Sequence, residues 1–271
     1  MRKVAIVILN YFNYPDTIAC LDSIKKLSYP LCGVVIVDNG SANDSCVELH
    51  SKIKKMRDVC LIRAKKNVGY ARGNNIGIDY ARKRLGAEFV LVINNDTIFI
   101  QYDYIERLLA SYRKNVAVIG SKILLKDGIQ LPCYVSYGVR DCVFQYLNMI
   151  SASHGACFSF EISEHKKDYM LQGSALLFTP YFFKFYSGFS PRTFLYGEEN
   201  ILYFMCKCKG LRQKYAGSAE IYHKEDQSSE LSFGNDQDII QKYIRQSWKY
   251  VIWWSLRGWL KGINTEKRQL V

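Results

Sequence analysis

The chain has 271 residues, which is enough for one large α/β domain with a modest appendage. Its hydrophobic fraction of 49% is ordinary for a globular protein and excludes an intrinsically disordered chain. The net charge of +12 favours an anionic partner such as a nucleic acid, an anionic lipid or a phosphorylated ligand, without choosing among them.

The nine cysteines are scattered without the spacing of metal ligands, and Cys206 and Cys208 form the only close pair. Two thiols cannot complete a zinc site, so free thiols in a reducing cytoplasm are expected. The apolar run at residues 4–9 is too short for a signal peptide, and no run approaches the roughly 18 residues that span a bilayer. These patterns predict a protein that stays in the cytoplasm.

The first 120 residues alternate between short apolar runs and helical patterns. Such alternation predicts a doubly wound, mostly parallel sheet with helices on both faces. Ligands bind such sheets at the carboxyl edge, where polar clusters follow the first, second and fourth runs. The predicted strands are residues 4–9, 34–37, 59–62, 89–93 and 116–119. One helix is predicted to begin at residue 16, a second to begin at residue 44, a third to end near residue 86, and a fourth to span residues 102–113.

Residues 121–168 have no clear period, and no elements are predicted there. Regularity returns with an apolar stretch at 174–178, a helix over 198–209 and a strand at 219–222.

The last thirty residues form a distinct tail with seven basic residues against one acid, a net +6. Trp248, Ile252 and Trp259 can share one face of a helix. A basic amphipathic helix with tryptophans is typical of a membrane interface rich in anionic lipid. A terminal helix packed on the domain, with solvated lysines, is the alternative.

Acidic residues follow two of the buried strands. Asp96, after Asn94 and Asn95, is poorly solvated at a strand end and suits Mg²⁺ or Mn²⁺ carrying a diphosphate, although such sequences also form ordinary turns. Asp38 can accept a hydrogen bond from a ring N–H of a pyrimidine base, and the residues after it can instead cap a helix.

Three further segments carry polar groups suited to chemistry. The Gly- and Asn-rich residues 67–77 can offer amides and Arg72 to a ribose or phosphate, or form a simple turn. Glu198 and Glu199 open a helix, either as dipole partners or with one of them facing a cleft as general base. His223 after a strand is either a structural residue or a ligand.

In this order the motifs resemble family 2 glycosyltransferases, in particular a rhamnosyltransferase-like bacterial subgroup, over residues 4–229. The segment at 67–77 is similar to the family's N-x-G-x-A-x-G-N-N-x-G, and Asn94-Asn95-Asp96 is similar to its metal-binding D-x-D. Two departures stand out: Asn94 replaces a common Asp, and Ser187-Gly188-Phe189-Ser190-Pro191 replaces Gly-Gly-Phe-Asp-Glu.

The resemblance implies a GT-A fold and an inverting transfer of sugar from a UDP- or dTDP-sugar to a hydroxyl of a saccharide acceptor, expected to be lipid-linked, in cell-surface polysaccharide synthesis. It divides the chain into a GT-A domain at 1–235, with a nucleotide-binding half at 1–120 and an acceptor-binding half at 121–235, and a C-terminal amphipathic tail at 236–271. The catalytic acids would be Glu199 and, less favoured, Glu198. Asp96 and His223 would hold Mg²⁺ or Mn²⁺, and the nucleotide-sugar would contact Asn10, Tyr11, Asp38, Asn39, Asn67, Gly69, Arg72, Asn74 and Asn95.

Two other classes of function compete with the transferase. One is a non-catalytic nucleotide-sugar-binding protein on the same fold, against which the Glu198-Glu199 pair argues. The other is a nucleic-acid-binding protein, against which the absence of a recognised module and the concentration of charge in one terminal helix argue. We therefore expect no nucleic-acid partner, and a cytoplasmic enzyme attached peripherally to the inner face of the cell membrane through its tail.

Overall fold

The computed structural model describes residues 1–130, 133–134, 138–151, 169–224 and 236–268, and these fold around a mixed sheet. The helices are α1 (Tyr14–Ile24), α2 (Ser45–Ile53), α3 (Tyr70–Lys83), α4 (Tyr104–Ala110), α5 (Val139–Ser151), α6 (Pro180–Phe183), α7 (Glu198–Lys207) and α8 (Gln237–Arg268). The strands are β1 (Val4–Asn10), β2 (Gly33–Asp38), β3 (Val59–Arg63), β4 (Phe89–Asn94), β5 (Thr97–Phe99), β6 (Val116–Leu125), β7 (Gly128–Gln130), β8 (Cys133–Tyr134), β9 (Tyr169–Met170), β10 (Ala175–Phe178) and β11 (Arg212–His223).

The first half of the sheet is parallel, in the order β3-β2-β1-β4. Its strands are continuous β-branched and apolar runs because helices cover both of their faces. The register pairs Asn10 with Asp38 and Leu9 with Asn94, so the carboxyl ends of β1, β2 and β4 lie side by side. The sequence predicted this half of the sheet and the edge where its polar loops meet.

The second half of the sheet is mixed, which the sequence did not predict in detail. Strand β10 runs antiparallel to both β4 and β6, while β11 is parallel to β6 and antiparallel to β5. The stretch without a clear period contains the end of β6, the hairpin strand β7, the short strand β8 and helix α5. Residues 152–168 of that stretch lie outside the described part of the chain.

Two apolar layers enclose the sheet, and alternate residues of β1 enter each of them. Ala5 and Val7 join the layer formed with α3, α7 and α8. Ile6 and Ile8 join the layer formed with α1, α2 and α4. A strand buried on both faces in this way explains why the opening run of the sequence is apolar without alternation.

Helix α8 packs on the domain along its first part. The Trp248 Nε1 donates to the Cys142 carbonyl at 3.0 Å, and the Ser247 hydroxyl donates to the Leu195 carbonyl at 2.9 Å. Trp248 is 9% exposed, whereas Trp259 is 57% exposed. The helical spacing predicted one face for both tryptophans, but α5 covers that face only at Trp248, so the two residues have different environments.

The described thiols are free: Cys20, Cys32, Cys46, Cys60, Cys142, Cys206 and Cys208. No helix in the described part of the chain combines the length and the hydropathy that crossing a membrane requires.

We predict that Trp248→Ala destabilises the fold by about 3–5 kcal/mol, because it removes a buried indole and its hydrogen bond to α5. Trp259→Ala, on the same helix, is the matched control and should change the free energy of unfolding by less than about 0.5 kcal/mol. Urea denaturation followed by circular dichroism measures both. Equal losses in the two variants would contradict the packing of α8 on the domain.

Candidate active site

Asp38, at the carboxyl end of β2, is fully buried with one oxygen unpaired. Its Oδ1 accepts hydrogen bonds from Asn10 Nδ2 at 3.0 Å and from the Ser41 hydroxyl. Its Oδ2 has no hydrogen-bond partner among the described residues, and the nearest cation, Arg63 Nε, is 3.8 Å away. A buried carboxylate oxygen without a donor is costly, so this atom suits a ligand N–H or O–H group.

Two of the asparagines predicted to bind the nucleotide-sugar hold other protein groups. Asn10 is fully buried between Asp38 and the Thr17 hydroxyl, which donates to its Oδ1 at 2.7 Å. Asn39 donates from Nδ2 to Asn67 Oδ1 at 2.9 Å and accepts the Val68 N–H at 3.1 Å. Since these polar atoms are already engaged, Asn10, Asn39 and Asn67 shape the site around Asp38.

Tyr11 lies next to the Asp38 cluster in the loop after β1, and its side chain is half-buried. Its ring makes an edge contact with the Phe12 ring, with centroids 4.4 Å apart. Phe12 has a positive φ of 60°, and its carbonyl accepts from Asn43 Nδ2 and the Ser45 hydroxyl. These hydrogen bonds fix the loop after β1, which carries Tyr11. A base bound at Asp38 could stack on the Tyr11 ring.

Gly69 allows the turn before α3 to touch the loop before α7. It has φ +86°, and a Cβ at this position would collide with the backbone of Phe194. The next residue, Tyr70, donates its N–H to the Phe194 carbonyl at 2.8 Å. Gly69 is therefore required for a close backbone approach between two loops of the site.

The start of α3 holds the 189–191 segment in place. Arg72 Nε donates to the Pro191 carbonyl at 2.8 Å, and Asn75 makes hydrogen bonds with both the N–H and the carbonyl of Phe189. Asn74 is buried; its Nδ2 donates to the Tyr70 carbonyl, and its Oδ1 has no partner among the described residues. The sequence suggested that Arg72 addresses a ribose or phosphate, but its Nε is used to tie this loop to α3.

Asp96 is brought next to His223 by the pairing of β5 with β11. The register places His223 opposite Thr97, and His223 Nε2 lies 3.1 Å from Asp96 Oδ1 and 3.3 Å from Asn94 Nδ2. His223 Nδ1 is buried and has no partner among the described residues. Two residues 127 positions apart in sequence thus form a polar pair at the end of β4.

The turn between β4 and β5, which carries Asp96, is anchored to α1 and the residues before it. Asn95 Nδ2 donates to the Asn13 carbonyl at 2.9 Å and to the Thr17 hydroxyl at 3.2 Å, so it holds this turn in place. Sequence reasoning missed a neighbouring ion pair, in which Lys224 Nζ lies 2.6 Å from Asp16 Oδ1. Only the position of Lys224 directly after His223 hinted that a cation belongs to this part of the site.

Asp96 and His223 fit a divalent cation that keeps several non-protein ligands. In the described residues there is no group of three or more His, Cys, Asp or Glu side chains placed to hold a metal. Mg²⁺ and similar ions bind nucleotide sites through one or two protein groups, with water and phosphate oxygens completing the shell. The Asp96 carboxylate and the adjacent His223 imidazole, whose Nδ1 has no hydrogen-bond partner among the described residues, match that requirement.

Glu198 and Glu199 begin α7 but have different surroundings. Glu198 is buried, with Oε1 unpaired among the described residues; burial, followed by the charge of Glu199, raises the pKa of Glu198 to about 8. Glu199 is half-buried and accepts a hydrogen bond from the Gly173 N–H. Loss of solvent raises the pKa of Glu199, while hydrogen bonds from backbone amides oppose that rise.

The two residues before β10 connect the Glu199 side chain to the end of β4. A Cβ at Gly173 would collide with the Glu199 carboxylate, so the backbone there passes directly against that group. The next residue, Ser174, accepts the Asn94 N–H at 3.0 Å through its carbonyl. Glu199 is thus separated from the end of β4 by only two residues of backbone.

Tyr70 lies among the acids. Its hydroxyl donates to the Gly173 carbonyl at 2.9 Å. Burial raises the pKa of Tyr70, and the negative charges of Glu199, Glu198 and Asp96 raise it further. The Tyr70 phenol thus lies near the acids of α7 and of the turn after β4, two elements that Gly173 and Ser174 link through the backbone.

We predict that Glu198 makes stability fall as pH rises between about 4.5 and about 8. In this window the unfolded state has lost the Glu198 proton and the folded state retains it, so folding is opposed by roughly 1 kcal/mol per pH unit at most. Glu198→Gln should flatten this part of the stability profile, and the exposed-site variant Glu48→Gln should not. Denaturation at pH 5 and pH 8 tests this, and equal slopes for Glu198→Gln and the wild type would contradict it.

The amino-acid sequence matches the family model described as glycosyl transferase family 2 over residues 4–217. It is 28% identical over 202 residues to the low-salt glycan biosynthesis hexosyltransferase Agl10 of Haloferax volcanii. The aligned region covers 73% of this chain and 60% of that relative. The chain thus spans about three fifths of the length of this relative.

Solved structures share the fold at low sequence identity. The mannosyltransferase PcManGT from Pyrobaculum calidifontis, in complex with GDP-Man and Mn²⁺, matches with a TM-score of 0.59 and 12% identity over 96% of this chain and 74% of that one. GalNAc-T7 with UDP, GalNAc and Mn²⁺ matches with a TM-score of 0.61 and 13% identity, covering 84% and 45% of the two chains. These similarities confirm the predicted GT-A fold, and the family match over most of the sequence shows that the chain belongs to glycosyl transferase family 2.

Proposed function

We propose that this protein is an inverting glycosyltransferase that moves a sugar from a UDP- or dTDP-sugar to a hydroxyl of a lipid-linked saccharide in surface-glycan assembly. The observation that carries the proposal is the arrangement of Asp38, the Asp96–His223 pair and Glu199 around one edge of the sheet. Each of these groups suits a different part of a nucleotide-sugar reaction.

Asp38 is the proposed base-recognition residue. Its unpaired Oδ2 can accept a ring N–H of a pyrimidine, while Asn10 and Ser41 hold the other oxygen in place. A base seated there could stack on Tyr11. Asn39, Asn67 and Gly69 shape the wall beside it.

Asp96 and His223 are the proposed ligands of Mg²⁺ or Mn²⁺. When bound, such an ion supplies charge that stabilises the leaving diphosphate. The Lys224 ammonium, held 2.6 Å from Asp16, adds a positive charge on the same side of the site. The relatives PcManGT and GalNAc-T7, both solved with Mn²⁺ and nucleotide or nucleotide-sugar, support a divalent cation in this chain.

Glu199 is the proposed general base. A base must be ionised when the acceptor hydroxyl loses its proton, and it must be reachable. Glu198 is buried with a pKa of about 8, so it is largely protonated at neutral pH. Burial raises the pKa of Glu199 as well, but backbone amides donate hydrogen bonds to its carboxylate and oppose that rise. Its side chain is only half-buried, so Glu199 is the better candidate, and Glu198 is left to position the helix start.

We expect Glu199→Gln to lower kcat by about 10²-fold or more while Mn²⁺-dependent binding of the donor stays unchanged. Asp96→Asn, in the same sheet-edge site, should instead abolish the Mn²⁺ dependence of donor binding. Calorimetric titration with UDP- and dTDP-sugars and a transfer assay measure the two effects. Normal turnover by Glu199→Gln would remove the base assignment, and unchanged Mn²⁺ dependence in Asp96→Asn would remove the metal assignment.

We further propose that the outer face of α8 binds an anionic membrane surface. Trp253, Leu256 and Leu260 are exposed on this face, and Lys249 and Arg257 lie among them. Helix α5, which packs against α8, also exposes apolar side chains: Phe144, Leu147 and Ile150. Apolar side chains among cations match the boundary between acyl chains and anionic headgroups.

The double variant Trp253→Ala/Leu260→Ala should bind phosphatidylglycerol vesicles about tenfold more weakly than the wild type, because it loses apolar area that enters the interface. Phe185→Ala, which removes an exposed aromatic ring elsewhere on the domain, is the matched control and should bind normally. Co-sedimentation with vesicles measures binding. Equal wild-type binding to neutral phosphatidylcholine vesicles would contradict the role of the basic residues.

A further inference from the structure

A cavity of about 340 Å³ lies between the start of α3, the loop before α7 and helix α8. Three cationic side chains and three aromatic side chains contribute to its wall. They are Arg72, Arg192, Lys249, Phe194, Tyr243 and Tyr250. Neither Asp38 nor Asp96 lines this cavity, so it is separate from the groups proposed to hold the donor.

The cations around the cavity have no acidic partner in the described part of the chain. No Asp or Glu lines the cavity, and the ion pairs formed by the described residues do not include Arg72, Arg192 or Lys249. Three like charges facing one space repel each other, and an anion placed between them would relieve that repulsion.

The aromatic side chains give the cavity a flat apolar wall beside the cations. The rings of Phe194 and Tyr243 stack with centroids 4.9 Å apart and planes 20° apart. The Arg192 guanidinium lies 5.7 Å from the centroid of Tyr250 and 5.7 Å from that of Trp253. Stacking on these rings restrains Arg192 while leaving its N–H groups available for hydrogen bonds.

The cavity adjoins the acids of α7. Thr193, another lining residue, lies beside the Glu198 side chain, and its buried hydroxyl has no hydrogen-bond partner among the described residues. Phe194 accepts the Tyr70 N–H, and the Tyr70 hydroxyl reaches the backbone against which Glu199 lies. A ligand in the cavity would therefore sit beside the proposed base, where an acceptor must be held.

We propose that this cavity binds the phosphate or diphosphate group of the acceptor, an inference that rests on the proposed transferase function. A phosphate or diphosphate group carries two or three negative charges, which match three cations better than the single charge of a carboxylate ligand would. Arginine also binds phosphate oxygens through paired N–H groups. The flat aromatic wall would lie against the attached sugar or the first part of the lipid.

The test is calorimetric titration of the full chain with inorganic pyrophosphate in the absence of divalent cations. The double variant Arg192→Gln/Lys249→Gln should bind pyrophosphate about tenfold more weakly or worse, as expected for lost charge-assisted hydrogen bonds. Lys242→Gln, which removes an exposed cation of the same helix outside the cavity, should bind like the wild type. Unchanged affinity in the double variant, or no binding by the wild type, overturns the inference.

Mn²⁺-dependent binding of the nucleotide-sugar to the same proteins separates this inference from the proposed function. The double variant should retain it within about twofold, since the cavity is separate from Asp38 and Asp96. Absence of donor binding in the wild type would remove the proposed function, whereas donor binding with unchanged pyrophosphate affinity in the variant would remove only the cavity.

Competition experiments identify the source of the phosphate. Displacement of pyrophosphate by farnesyl diphosphate but not by glucose 1-phosphate supports a lipid-linked acceptor, and the reverse result supports a free sugar phosphate. Failure of both compounds to displace pyrophosphate overturns the assignment to an acceptor.

Discussion

The insertion of β10 between β4 and β6 is the constraint on which the site depends. Its antiparallel pairing with β4 brings Ser174 to Asn94 and places Gly173 against Glu199. Without this strand, the backbone link between the helix carrying the two acids and the end of β4 would be lost. Because residues 176–178 of β10 pair with β4 on one side and with β6 on the other, the distance between the two halves of the sheet is set by backbone hydrogen bonds and not by flexible side chains.

The site also retains groups that oppose folding. Asp38 and Glu198 are buried with unpaired oxygens, and His223 has an unpaired ring nitrogen. Replacing such groups by apolar side chains of similar volume usually stabilises a protein. Unpaired titratable groups beside one sheet edge are the pattern expected where binding or chemistry and not stability determines the residues.

The sequence predicted the parallel half of the fold well and the second half poorly, for physical reasons. Strands buried on both faces require continuous apolar runs, and such runs are visible at β1, β2 and β4. Strand β5 has only three residues and is defined by its pairing with β11, and the place of β10 depends on partners far away in sequence. Helix α5 was missed because its outer face exposes Phe144 and Leu147, which blurs the helical period.

The same distinction applies to the site. Motif order suggested Asp38, Asp96, His223 and Glu199 as site residues. It did not show that Arg72 Nε bonds to Pro191, or that Asn10 and Asn39 are engaged within the protein. Nor did it show that Asp16 pairs with Lys224 across 208 positions. Residue types alone do not reveal which polar atoms the fold has already used. Only the hydrogen-bond partners separate residues that can meet a ligand from those that hold its surroundings.

The contact between α8 and the turn before α7 has a mechanical consequence. Ser247 and Val251 pack against Gly197, and Ser247 holds the Leu195 carbonyl, so this helix acts directly on the residues that precede the two acids. With 32 residues, α8 is about 48 Å long, and its inner part packs on the turn that precedes the two acids. A force on the outer part of this helix would therefore be transmitted to that turn.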